Sequence, residues 1–142
     1  MSILKGGKLQ IDGKCFACGP ENPQGLGMKI QYEKDQISCR ISLAPHFQGW
    51  AGIAHGGVVA AMLDEVMAYA VLHFLGSGVT ASMDLRYRKP VPLGQELLVT
   101  GWIAKQRGNL AETQARLTLA ADHQVLAEAK ANFLLSQPSS AK

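Results

Sequence analysis

The sequence predicts an α+β domain, a curved antiparallel sheet of about six strands wrapped around one long central helix at about residues 56–75. Three observations lead there. A single long apolar stretch, Val58 to Leu75, is bracketed by Gly56-Gly57 and by Gly76-Ser77-Gly78, the punctuation expected at helix ends. After Gly78 the apolar period drops from 3.6 to 2. No second helical pattern follows, so the helix must bury its surface against strands.

The elements follow in order. Residues 1–27 are rich in Gly and turn residues and read as an irregular lead-in. Residues 28–33 and 36–43 alternate well enough for two strands joined at Lys34-Asp35. The loop PHFQGWAGIAHGG then feeds the helix. Within TASMDLRYRKPV, Thr80, Ser82, Asp84, Arg86 and Arg88 fall on one face, and Ala81, Met83, Leu85, Tyr87 and Val91 on the other, with Lys89 as the exception. ELLVTGWIAKQ, LAETQARLTLAA and QVLAEAKANFLL supply three more strands. Their short connections, Arg107-Gly108-Asn109 and Asp122-His123, imply antiparallel hairpins. Residues 28–136 thus form one domain, and 137–142 form a polar tail expected to fray.

Composition narrows the class. The chain has 142 residues, 47% hydrophobic and 18% charged, which suits one soluble globular domain. A net charge of +3 is too mild for a nucleic-acid binder. The run Val58–Leu75 has about the length of a membrane span but contains Asp64, Glu65 and His73. Charges at mid-bilayer are costly, so no membrane association is expected. The first residues lack the apolar core of a secretion signal, and the expectation is a reducing cytoplasm with free thiols.

Between Ile41 and Met83 the only Asp, Glu, Lys or Arg residues are Asp64 and Glu65. Adjacent helical positions point about 100° apart, so the two cannot share one environment. Asp64 is read as the deep carboxylate, suited to serve as a base or nucleophile. A polar contact between subunits would accommodate the same pair. His55-Gly56-Gly57 stands where the helix begins, and first-turn N–H groups have no intrahelical acceptors. With the helix dipole they suit a carbonyl oxygen gaining negative charge. A tight turn needing glycine is the alternative. Gly56 and Asp64 are eight residues apart, a rise of roughly 12 Å. A reacting carbonyl must lie about 3 Å from both donor and attacker. If both act on one substrate, Asp64 must come from a second copy of the chain.

The segment FQGWAGIAHGGVVAAMLDEVMAYAV, followed by TASMDLRYRKPVPLGQELLVTG, resembles the hotdog-fold thioesterases. The likeness is to the PaaI-like group and its thioesterase-superfamily-member-4-like branch. The HGG-to-Asp spacing, Thr80-x9-Pro90, and the succeeding Pro92, Gly94 and Leu97 carry the likeness. So does the lead-in Cys15-Phe16-Ala17-Cys18-Gly19 with Asn22-Pro23 and Gly25-Leu26; together these span nearly all of 15–135.

The resemblance implies an acyl-CoA thioesterase that needs no cofactor beyond the CoA of its substrate. It implies a homodimer, paired into a homotetramer as a dimer of dimers, with sites at the dimer interface. Asp64 would be nucleophile or general base, and the Gly56 N–H, with Gly57 beside it, would polarise the thioester carbonyl. His55 would shape the turn, and Thr80 would position water or the carboxylate. Glu65 has no matching role and is read as structural. Many members carry Asn or Gln six residues before the HGG histidine; here that position is Gly49, and Gln48 beside it is the candidate.

Arg86, Arg88 and Lys89 would meet the CoA phosphates, with Arg107 and Asn109 as weaker candidates; a solvated strand end is the alternative. Trp50 and Met62, with Val66 and Tyr69, would line the acyl pocket. No metal is expected. Cys15-x-x-Cys18 lacks a second pair in sequence, Cys39 and His46 could join only through the fold, and the thiols read as buried and structural. His46, His73 and His123 read as loop or helix-end residues. An acyl-CoA-binding protein without turnover and an acyl-ACP thioesterase are the alternatives.

Overall fold

The computed structural model describes residues 11–136. In chain order the elements are β1 (Gln31–Tyr32), β2 (Ile37–Ser42), α1 (Gly56–Leu75), β3 (Gly78–Tyr87), β4 (Glu96–Arg107), β5 (Leu110–Leu119) and β6 (Val125–Leu135). They form one six-stranded sheet in the order β1-β2-β4-β5-β6-β3, with every pairing antiparallel. The chain leaves β2, runs through α1, and returns as β3 at the opposite edge. The helix therefore lies across one face of the sheet.

Five strands, β2 to β6, touch α1. Five strands spaced about 4.8 Å apart are wider than a helix about 10 Å across, so the sheet must curl to reach it. This is the hotdog fold. The helix buries Val59, Met62, Leu63, Val66, Met67, Ala70 and Val71, which recur at i, i+3, i+4 and i+7. By length and composition α1 could cross a bilayer; here that apolar stripe is covered by strands. Ala111, Ala115, Ala127, Ala129 and Ala131 line the facing surface and let the backbones approach. The approach is tightest at Gly101, where an added Cβ would lie 2.8 Å from the Val66 carbonyl carbon and oxygen.

The predicted helix bounds agree with the structure, and so do the β4–β5 and β5–β6 hairpins. Two expectations change. The strand expected over 28–33 shrinks to Gln31–Tyr32, because the Met28 N–H donates to the Ala17 carbonyl (2.9 Å) and ties that stretch to the lead-in. The strict alternation along β3 also fails: the register with β6 shifts between Thr80 and Ser82, leaving Ala81 as a bulge. Thr80 opposes the buried Phe133, whereas Ser82 opposes Asn132. Thr80 therefore joins Met83, Leu85 and Tyr87 on the helix-facing side, while Ser82, Asp84 and Arg86 face outward. Residues 1–10 of the lead-in and the tail 137–142 lie outside the described residues.

Gly101→Ala forces β4 off the helix. Overpacking of this kind costs roughly 1–3 kcal/mol, which should appear as a lower urea midpoint at unchanged slope.

Candidate active site

Asp64 lies on the flank of α1 that faces β3. Thr80 Oγ1 donates to Asp64 Oδ1 at 2.7 Å. The bulge at Ala81 makes this contact possible; unbroken alternation would turn Thr80 away with Ser82. Among the described residues Asp64 Oδ2 has no hydrogen-bond partner.

The deep carboxylate is Glu65, not Asp64. Glu65 is 8% exposed and Asp64 only half-buried. The step of about 100° between them sends Glu65 under the lead-in and Asp64 toward the sheet edge. Burial pushes the Glu65 carboxyl above its ordinary range, and the nearby Asp64 charge adds to this. The Cys15 thiol donates to both Glu65 oxygens, at 3.9 and 3.8 Å. Cys18 Sγ lies 3.2 Å from Tyr69 Oη. Burial, followed by Glu65, pushes the Cys18 thiol up to about 12. The expectation of buried structural thiols fails for this pair: Cys15 is exposed, Cys18 half-buried, and only Cys39 is in the core.

At the helix start, His55 engages three amides. Its Nδ1 accepts from Gly57 N–H at 2.9 Å, and its carbonyl accepts from Val58 and Val59 N–H at 2.9 and 3.1 Å. The Gly57 amide is thereby used in capping. Gly56 N–H alone has no acceptor among the described residues. On its other side, the Gly56 carbonyl accepts from Tyr87 Oη–H at 2.7 Å. Tyr87 is the residue that sequence reasoning missed as a site member. The available signal was an inner-face aromatic at a strand end, whose polar tip needs a partner.

The loop before the helix is itself held. Gln48 Oε1 accepts from Gly52 N–H at 2.8 Å, and Phe47 carbonyl accepts from His55 N–H at 2.9 Å. A Cβ at Gly49 would lie 2.9 Å from His55 Cα, so no side chain fits there. Gln48 Nε2 remains the nearby side-chain donor in sequence.

Other expected residues lie elsewhere. Met62 and Val66 are fully buried core residues, so they do not line an open pocket. Trp50 is 82% exposed. Tyr69 lines a cavity of about 580 Å³ with Cys15, Cys18, Glu65 and Leu72, a cavity that Asp64 does not line. Arg86 and Arg88 lie on the outer sheet face, away from α1, where Arg86 meets Asp84 at 3.9 Å and Arg88 meets Glu128 at 3.0 Å. Lys89 follows the strand, its N–H donating to the Leu126 carbonyl at 3.0 Å, and it forms no ion pair among the described residues. Arg107 pairs with Glu112 at 3.9 Å.

Residues 51–134, more than half the chain and including both α1 and β3, match the family described as the thioesterase superfamily. The chain belongs to the thioesterase superfamily. An acyl-coenzyme A thioesterase THEM4 from Xenopus laevis is 27% identical over 99 residues, 70% of this chain and 45% of that protein. The chain thus spans less than half the length of that relative. A crystal structure of a thioesterase superfamily protein superposes with a TM-score of 0.83 at 28% identity, covering 91% of this chain and 63% of that one. The Escherichia coli PaaI protein shares the fold, with a TM-score of 0.71 at 15% identity over 77% of this chain and 83% of its own. The superfamily match covers Asp64, Thr80, Gly56 and Tyr87 but begins after the Cys15–Cys18 segment.

Within this superfamily chain the His55 cap makes a stability prediction. His55→Ala removes the acceptor for Gly57 N–H and should cost about 1 kcal/mol, while His55→Asn, a favoured cap, should restore most of it. Urea denaturation of the three proteins reads the difference.

Proposed function

We propose that the protein is an acyl-CoA thioesterase whose two active sites are each completed across a homodimer. The observation that carries this reading is β3. One edge strand holds Asp64 through Thr80 near one end and Gly56 through Tyr87 at the other. The name of the Xenopus laevis relative supports the substrate class.

The geometry of a two-fold axis does the rest. Antiparallel pairing of β3 with its symmetry mate places residues i and j opposite each other with i + j constant. Centred near Met83, that pairing sets the Thr80 end of one copy against the Tyr87 end of the other. The carboxylate of one copy then meets the helix start of its partner, which one helix with a rise of about 12 Å between them cannot arrange alone. The 39%, 36% and 55% exposures of Val79, Met83 and Tyr87 leave apolar surface for such a mate.

In the proposed reaction, water attacks the thioester carbonyl carbon while Asp64 takes its proton, or Asp64 attacks first and water releases the acyl group. Thr80 donates to one carboxylate oxygen, leaving the other for the proton or the carbon, and its own lone pairs can orient the water. The carbonyl oxygen gains charge beside Gly56 N–H, which the helix dipole favours. The C–S bond then breaks to give the carboxylic acid and the CoA thiol. Lys89, exposed and without an ion-pair partner among the described residues, is the favoured member of the basic cluster for CoA phosphates. Arg86 and Arg88 face outward and are already paired.

Asp64→Asn should lower kcat on acyl-CoA substrates by about 10²–10⁴-fold, the usual contribution of a positioned base, followed by thiol release. Retained activity refutes the role of Asp64. Sharing is tested by complementation with Gly56→Pro, which removes the N–H at a helix position that tolerates proline. Unfolded and refolded together, the two inactive variants should recover about a quarter of wild-type activity, since half the dimers are mixed and each mixed dimer has one intact site. Sites confined to one chain would give none.

A further inference from the structure

We propose that Cys15, Cys18 and Glu65 form a zinc site that fastens the lead-in to α1, with its fourth position open to the cavity beside Tyr69. The two sulfurs and a Glu65 oxygen all lie within 4.8 Å of one another. Tetrahedral zinc, at about 2.3 Å from sulfur and 2.0–2.2 Å from oxygen, sets its ligands about 3.6–3.8 Å apart. Cys15 Sγ is 3.9 and 3.8 Å from the Glu65 oxygens, so that pair is already close to this spacing, and Cys18 Sγ, within 4.8 Å of both, needs only a small shift.

The turn that carries the thiols is built to aim them at one point. Gly19 N–H donates to the Cys15 carbonyl at 2.9 Å. A Cβ on Gly19 would fall 2.3 Å from Cys15 N and 2.5 Å from the Gly13 carbonyl, so the chain folds this tightly only with glycine. Ala17 N–H donates to Cys15 Sγ at 3.3 Å, and Tyr69 Oη is placed to donate to a Cys18 thiolate. Such outer partners orient ligand sulfurs and hold their charge.

An independent observation comes from Glu65. It is more than nine-tenths buried, no ion pair among the described residues reaches it, and its hydrogen-bond donors are thiols, which are weak. Lys14 lines the same cavity without pairing to it. A buried carboxylate so poorly served is costly, and a cation between it and two sulfurs removes the cost. Two sulfurs and one carboxylate suit zinc better than magnesium or calcium, and three protein ligands leave one position for water. Asp64 faces β3 and takes no part.

The test uses the full chain, reduced, stripped by a chelator and dialysed against zinc chloride. One zinc per chain should remain by elemental analysis, and cobalt(II) in its place should show a thiolate charge-transfer band. Zinc should protect Cys15 and Cys18 of the wild-type protein from alkylation, a readout that needs no variant to fold. Glu65→Gln should weaken zinc binding at least about tenfold, since even outer-shell changes cost 10–100-fold. Retention well below one zinc per chain, unprotected thiols, or unchanged affinity in Glu65→Gln would overturn the proposal. So would a Cys15–Cys18 disulfide that forms in air with zinc present, seen as the loss of two hydrogens by mass.

Discussion

The burial of α1 against a sheet, with no second α-helix among the described residues to share the work, constrains the rest of the structure. A helix wants partners around most of its circumference, and a sheet offers a surface. The two fit only if the sheet curls and if its inner face is shallow where the axis passes. Gly101 and the alanines of β5 and β6 provide that depth. One flank of α1, at the margin of its buried stripe, is met by the edge strand β3. Asp64 and Gly56 both sit on that flank. Their half-covered position follows from the packing problem itself.

The adjacent carboxylates show how a helix separates two roles with a single residue step. Rotation by about 100° places Asp64 beside a hydroxyl at the sheet edge and Glu65 beneath the lead-in. The first environment is polar and accessible, as chemistry with an incoming substrate requires. The second is buried and lined with sulfur. Burial, with the Asp64 charge beside it, makes the Glu65 carboxyl harder to ionise, and the two side chains turn to different partners.

Much of this was legible in the sequence. Periodicity and glycine punctuation gave the helix its bounds, and short polar breaks gave the hairpins. HGG marked the helix start, and the rise along α1 already separated the Gly56 amide from the Asp64 carboxylate. What escaped reading depended on tertiary context. One extra residue at Ala81 flips the parity of β3, and no alternation pattern reveals where a bulge falls. Which of Asp64 and Glu65 is deeper depends on the lead-in, whose course is irregular. The lead-in also takes Met28 from the first strand through a single hydrogen bond. The Cys15-x-x-Cys18 pair reads as isolated in sequence because Glu65, which the Cys15 thiol meets, lies 50 positions away.

The edges of the sheet are treated differently, and the difference bears on assembly. β1 is blunted by being two residues long. β3 is ten residues long, carries no proline or lysine, and leaves Val79, Met83 and Tyr87 partly exposed. An edge of that length and character invites pairing unless something occupies it. Its only irregularity, the bulge at Ala81, does not cap the strand; it turns Thr80 inward onto Asp64. The bulge, a device that elsewhere protects an edge, here serves the candidate site beside it. The proposed dimer would pair this edge with a second copy of itself, a partner matched to it in length and polarity.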